Sequence, residues 1–227
     1  MKIKLLKAHL LTGIQIVQNV VSTKSTLPIL SNILLETRGH MVKLNSTDLD
    51  IGISCEIPVE IIEEGAITIP AKRFSDIIKE MPDGDILIST KKNNQVDIEG
   101  NKCRFKLIGL PKEEFPKFPE FKDKEIIKIE QKILKEMFHM TAFAVSHEES
   151  RYILNGIFIE IIGDSIALVA TDGKRLAKMN KKVAVSAKKE VSVILPIKAV
   201  NEIYRNLQDD GVVALVMGTN QVLFDIN

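Results

Sequence analysis

The sequence predicts an α+β protein made of repeated domains, each with two helices packed on antiparallel sheets. Three observations carry this. First, the 227-residue chain repeats itself. Ile29-Leu30-Ser31-Asn32-Ile33-Leu34-Leu35-Glu36 lines up with Ile153-Leu154-Asn155-Gly156-Ile157-Phe158-Ile159-Glu160, an offset of 153 − 29 = 124, and Thr47-Asp48 falls on Thr171-Asp172 at that offset. Ile69-Pro70-Ala71-Lys72 then falls on Leu195-Pro196-Ile197-Lys198 at 196 − 70 = 126, as Asn94-Gln95-Val96 does on Asn220-Gln221-Val222. Matches in one order at nearly constant offset point to a duplicated domain of about 120 residues. Second, each copy reads strand, helix, several strands, helix, several strands, with few helices for the amount of sheet. Third, 45% hydrophobic and 27% charged residues are ordinary globular usage, enough for a sizeable core.

The elements follow in order. Residues 1–7 alternate charged and apolar side chains and read as a strand. Leu10, Ile14, Val17 and Val21 share a helical face, and Leu134, Met137, Phe138 and Thr141 repeat that face in copy two. Apolar runs at 32–36 and 157–162 read as strands. A second helix follows Pro70 with Phe74, Ile77, Ile78 and Met81; its copy follows Pro196 with Val200, Ile203, Tyr204 and Leu207. Asp83-Gly84 and Asp210-Gly211 end these helices and open hairpins. Residues 102–108 read as a further strand of copy one. Pro111, Pro116 and Pro119 make 111–124 read as an extended linker, which gives domains at 1–118 and 127–227 joined by 119–126. Asn227 corresponds to 227 − 126 = 101, before that further strand, so the sequence is expected to be the N-terminal part of a longer protein, lacking the last strand of its second domain.

Lys plus Arg is 31 and Asp plus Glu 30, a net charge of +1, unlike proteins that wrap nucleic acid by bulk electrostatics. The helices carry base at Lys7, Lys24, Lys72, Arg73, Lys79, Lys132, Lys135, Lys198 and Arg205, but also Glu80, Glu136 and Glu202. They form either one positive surface or ordinary solvated faces. Cys55 and Cys103 are too few for a disulfide framework and read as free thiols of a reducing, cytoplasmic compartment. There is no secretory signal, and the longest uncharged stretch, 8–23, is too polar to span a bilayer.

Catalytic signatures are missing. Asp172-Gly173-Lys174-Arg175 lacks the upstream glycine of a phosphate loop, and no zinc spacing occurs. Thr47-Asp48-Leu49-Asp50 offers two carboxylates that suit either a divalent metal or a local hydrogen-bonded turn. Only its Thr-Asp pair recurs, as Thr171-Asp172, which favours the turn. No cofactor or metal site is expected.

Four motifs occur in sequence: Thr26-Leu27-Pro28-Ile29-Leu30; Phe105-Lys106-Leu107 with Glu114-Phe115-Pro116; Ser150-Arg151-Tyr152-Ile153-Leu154-Asn155-Gly156; and Ala170-Thr171-Asp172-Gly173-Lys174-Arg175-Leu176-Ala177. Together they resemble the bacterial DNA polymerase III beta subunits, the sliding clamps, along the whole chain. The resemblance implies the DNA-clamp fold and three like domains, of which the third is absent here. It implies a homodimeric ring around duplex DNA that tethers the polymerase III catalytic subunit during replication. Clamp loader, repair proteins and other polymerases would bind through short linear motifs. Weak phosphate contacts would let such a ring slide, because topology rather than affinity retains it.

Residue by residue, the resemblance implies a partner-peptide pocket at Leu154, Thr171, Gly173, Lys174, Arg175 and Leu176. Leu154 and Leu176 would supply its apolar floor, and its other wall would come from beyond Asn227, so the present chain is expected to bind motifs poorly. Lys174 stands where the family commonly has His. Lys24 and Tyr152 match DNA-contacting positions, while Glu148 and Ile153 depart from contact positions of some members. Arg73, Lys102, Arg104 and Leu107 match the first-domain side of the subunit interface. Two readings compete with a non-enzymatic processivity clamp: a peptide-binding adaptor of the same fold that never encircles DNA, and a metal-dependent hydrolase using Asp48 and Asp50.

Overall fold

The computed structural model describes residues 1–21, 27–119, 121, 126–218 and 221–226. The chain divides into two compact units, Met1–Phe118 and Pro119–Asn227. Most of the expected linker 119–126 lies outside the described residues.

Unit one starts with β1 (Lys2–Leu6), which runs directly into α1 (Lys7–Val17). Next come β2 (Asn32–Arg38), β3 (Met41–Thr47), β4 (Gly52–Pro58), β5 (Glu60–Glu63) and β6 (Ala66–Pro70), then α2 (Ala71–Glu80), β7 (Asp85–Thr90), β8 (Gln95–Gly100) and β9 (Cys103–Ile108). They form two antiparallel sheets, ordered β5-β1-β7-β8-β9 and β4-β3-β2-β6. Unit two repeats the order with β10 (Ile126–Glu130), α3 (Gln131–Thr141), β11 (Gly156–Thr171), β12 (Leu176–Pro196), α4 (Ile197–Asn206), β13 (Val212–Met217) and β14 (Val222–Ile226). Its sheets are β10-β13-β14 and the long β11-β12 hairpin. β11 spans the positions of both β2 and β3. Its register shifts on either side of Gly163, which has φ +58°; Gly39, at 163 − 124 = 39, has φ +61°.

The duplication extends to single hydrogen bonds. The Lys7 N–H donates to Gly84 O at 2.9 Å, and the Gln131 N–H to Gly211 O at 3.0 Å. These bonds serve an orphan donor at the first turn of each helix, since neither helix has a side-chain cap. Each unit has its own core. Leu10, Ile14, Phe74 and Ile78 press onto the sheets of unit one, and Leu134, Phe138 and Val200 onto those of unit two. α1 sits so close to β4 that a Cβ on Gly13 would come within 3.2 Å of Ile57.

Three expectations are corrected. α1 ends at Val17, so Val21 lies beyond the helix; the turn after it buries Val20, and Val21 packs partly buried against the same core as Leu10, Ile14 and Val17. Residues 111–118 are not an extended linker. The Leu110 and Thr68 backbones bond each other, and Phe115 packs with Ile29 and Leu30 and stacks on Phe118, ring centroids 6.4 Å apart. Two aromatic rings in this proline-rich run supply enough apolar area to anchor it. Glu202 is not on a solvated face: it is 6% exposed, and its Oε1 accepts a bond from Arg205 Nη1 at 2.5 Å.

Candidate functional site

The recurring Thr-Asp turn is the scaffold of the candidate site, and both units build it with the same four bonds. In unit two the Thr171 hydroxyl donates to Arg175 O (2.7 Å) and accepts from the Gly173 N–H (3.1 Å). Asp172 Oδ1 accepts the N–H groups of Lys174 (2.9 Å) and Arg175 (3.0 Å). In unit one Thr47 and Asp48 make the corresponding bonds to Ile51, Leu49 and Asp50 at 2.8–3.1 Å. The carboxylate of Asp48 is therefore part of a turn, as the recurrence of Thr-Asp suggests. No group of three metal-ligating side chains occurs among the described residues.

The third turn residue must be left-handed. Gly173 takes φ +88°, where a Cβ would sit 3.4 Å from Arg151 Nη1; Leu49 takes φ +83° in unit one, a strained conformation for a bulky side chain.

Onto this shared scaffold unit two adds charge and aromatic surface. Asp172 Oδ2 accepts Arg175 Nε at 2.9 Å, and the Arg175 guanidinium lies over the Phe143 ring, 5.7 Å from its centroid. The Lys174 and Arg175 N–H groups, then the Arg175 side chain, hold the Asp172 carboxyl below its ordinary pKa. Arg151 comes from the 3-10 segment Glu149–Leu154, which kinks at that residue (φ −118°, ψ 54°). The Ser146 N–H to Leu154 O bond (2.9 Å) closes this segment, and Arg151 pairs with Glu148 at 3.4 Å.

Thr171, Gly173, Lys174, Arg175 and Leu176 thus meet at one hairpin, with Leu176 66% exposed. Leu154 is half-buried at the end of the Arg151 segment rather than in a strand. Tyr152 is 77% exposed beside the exposed Ile153. The sequence reading missed Phe143, 59% exposed after α3, and Arg151 as a neighbour of Gly173. The available signal is the repeat itself: Asn19, at 143 − 124 = 19, is not aromatic, so Phe143 stands out as a difference between copies.

Lys24 lies outside the described residues. Of the other helix-borne cations, Lys7 is held by Met81 O (2.6 Å) and Asp83 (3.2 Å), Lys135 by Asp209 (2.9 Å) and Arg205 by Glu202. Lys72, Arg73, Lys79 and Lys132 are exposed. The helices therefore carry less uncommitted positive charge than their sequence suggests.

Among the interface candidates, Arg73 is exposed on α2 and Lys102 on the β8–β9 turn, where its φ is +69°. Arg104, on the edge strand β9, pairs with Asp97 (3.0 Å) and Glu99 (3.1 Å). Leu107 is 7% exposed and belongs to the unit's own core, while Ile108 next to it faces solvent.

Residues 1–119 match the family model for the N-terminal domain of the DNA polymerase III beta subunit, and residues 128–227 match that for its central domain. The beta sliding clamp of Chlamydia muridarum is 34% identical over 194 residues, 86% of this chain and 53% of the relative. That of Pseudomonas aeruginosa is 35% identical over 216 residues, 94% of this chain and 59% of the relative. The crystal structure of the Bacillus subtilis DNA polymerase sliding clamp superposes with a TM-score of 0.96 at 31% identity, covering 99% of this chain and 62% of that one. A Pseudomonas aeruginosa clamp bound to griselimycin superposes at 0.93 with 33% identity, over 100% of this chain and 62% of that one. The chain thus spans roughly half to three-fifths of the length of the relatives it matches.

Proposed function

The chain belongs to the DNA polymerase III beta-subunit family, and from that premise we propose that it works as a sliding clamp, a non-enzymatic processivity factor for chromosomal replication. In this reading two subunits close into a ring around duplex DNA and tether the replicative polymerase. The supporting observation is the ordered match of both repeats to the N-terminal and central domain models. Physical chemistry agrees: a ring retains DNA by topology, so it needs only weak, sequence-blind phosphate contacts, in keeping with a net charge of +1.

Lys24, Tyr152 and the exposed cations of the helices would touch DNA. The 171–176 hairpin with Leu154 would take short linear motifs of the polymerase III catalytic subunit, the clamp loader, repair proteins and other polymerases. A half-buried Leu154 and an exposed Leu176 suit the apolar anchors of such motifs. Arg73, Lys102 and Arg104 would form one side of the subunit interface, with Leu107 supporting β9 from within. No described helix is long and apolar enough to cross a membrane, and a replication role places the protein in the cytoplasm. Primer extension with the cognate replicative polymerase tests the reading. Adding the native protein should lengthen products per binding event on any template sequence; unchanged product length contradicts it.

A further inference from the structure

We propose that unit one holds a second peptide site, on the face of β2, β3 and β4 turned away from its core, and that residues 111–118 shut this site in cis. Its ligand class is a short proline-flanked segment with two phenylalanines three residues apart. The inference rests on the peptide-binding reading of unit two only for the correspondence of positions between the repeats.

The repeat supplies the comparison. Leu30 stands in unit one where Leu154 stands in unit two, and Gly52 where Leu176 stands (154 − 30 = 124; 176 − 52 = 124). Leu154 is half-buried and Leu176 is 66% exposed. Leu30 is only 3% exposed, in a cluster with Ile29, Leu34, Phe115 and Phe118. At Gly52 a Cβ would lie 2.7 Å from Phe118 Cε1, so the Phe118 ring stands where the counterpart of the Leu176 side chain would begin. Unit one thus covers with its own aromatic rings the surface that unit two leaves exposed at Leu176.

The covering segment is held as a docked peptide is held, by backbone pairing at a sheet edge and by side chains set against the sheet. Leu110 makes an isolated antiparallel bridge with Thr68 of the edge strand β6, and their backbones exchange bonds of 3.1 and 3.2 Å. The turn at Lys112–Glu114 then brings Phe115 and Phe118 onto the sheet, with their rings 7° from parallel. The main core of unit one, with Leu10, Ile14, Phe74 and Ile78, is a separate cluster, so the unit does not depend on these rings for its packing. The fit is also incomplete. Asn45 lies directly opposite Leu34 in the β2–β3 register, is 4% exposed, and its Oδ1 has no hydrogen-bond partner among the described residues. Opposite residues share a sheet face, so the Leu34 side of the sheet carries a buried acceptor that the cis segment leaves unpaired. A segment with a donor there gains a bond that residues 111–118 lack.

The test uses a capped synthetic peptide with the sequence of residues 111–118 and a control peptide with both phenylalanines replaced by alanine. Each is titrated into the 15N-labelled chain, native or carrying Phe115→Ala with Phe118→Ala, and amide shifts are followed by NMR. In the double variant the peptide should shift the amides of Leu30, Leu34, Gly52 and Thr68, and the control should not. The native chain should bind the peptide at least about tenfold more weakly, because a tethered competitor acts at an effective concentration on the order of millimolar. Gly52→Leu is the second variant. It keeps both phenylalanines, fills the notch and should expel the Phe118 ring, so that trypsin cuts after the exposed Lys117 about tenfold faster than in the native chain. No binding by a double variant whose other amide shifts are in place overturns the site. Shifts confined to 171–176 also overturn it and leave the peptide-binding reading of unit two standing. Shifts in unit one with silence at 171–176 support the site and count against that other reading alone. If the double variant loses its dispersed spectrum, Gly52→Leu decides: a faster cut supports closure in cis, and an unchanged rate overturns it.

Discussion

At residue scale, the two copies of the Thr-Asp turn are a natural substitution experiment. Both need a left-handed third residue, and only one has glycine: Gly173 at φ +88° against Leu49 at φ +83°. A left-handed conformation costs a non-glycine residue about 1–2 kcal/mol, and glycine costs about 0.5–1 kcal/mol in chain entropy. Leu49 is exposed and loses little packing. Leu49→Gly should therefore raise stability by up to about 1 kcal/mol, and Gly173→Ala should lower it by about 1–2 kcal/mol, both read from urea midpoints. A drop in midpoint for Leu49→Gly would mean that its side chain makes contacts worth more than the strain.

Asp97 gives a pH prediction at the same scale. It is a buried carboxylate on β8, held by Lys91 at 2.9 Å, Gln95 at 2.6 Å and Arg104 at 3.0 Å, and these bonds, that of Lys91 foremost, keep it far below the usual carboxylate range. The unfolded chain takes up this proton near pH 4 (about 3.9), above the folded value. The stabilisation is thus complete above about pH 4 and is lost as pH falls towards the folded pKa. Asp97→Asn should lower stability at pH 7 and flatten its loss between about pH 4 and pH 2. A steep acid limb that survives the substitution would assign it to other carboxylates.

At the scale of elements, the helices were legible because their apolar spacing is local. Leu134, Met137, Phe138 and Thr141 all face the core as their spacing requires. What stayed hidden depends on distant partners. Nothing near Glu202 in sequence marks it as buried, and nothing near Arg175 points to Phe143, 32 residues earlier (175 − 143 = 32). The prolines of 111–118 did signal that no α-helix or strand forms there, and only a short 3-10 turn, Lys112–Glu114, does; whether such a run packs or floats depends on Phe115 and Phe118 finding Ile29 and Leu30. The candidate site was half legible for the same reason: the turn is local and repeated, whereas its aromatic support is neither. Because each unit has its own core, Phe74→Ala should cost unit one about 3–5 kcal/mol, and Phe138→Ala should cost unit two as much. Calorimetry should then show a different transition lowered in each variant; the same transition lowered in both would contradict independent cores.

At the scale of the molecule, one α+β domain is used twice, down to matched glycines and matched single bonds. Duplication of this kind supplies repeated helices and sheets without repeating every surface feature, since the second copy alone carries Arg175, Phe143 and Gly173. The same economy explains a near-neutral protein that is proposed to work on DNA: where enclosure holds the duplex, strong phosphate contacts would only impede sliding. The most direct test of that claim is retention of the native protein, loaded by its clamp loader, on a circular nicked duplex before and after the circle is cut. A clamp held by topology stays on the circle through a high-salt wash and leaves once the DNA has ends. Release from the intact circle by salt alone, with no effect of cutting, would contradict the account.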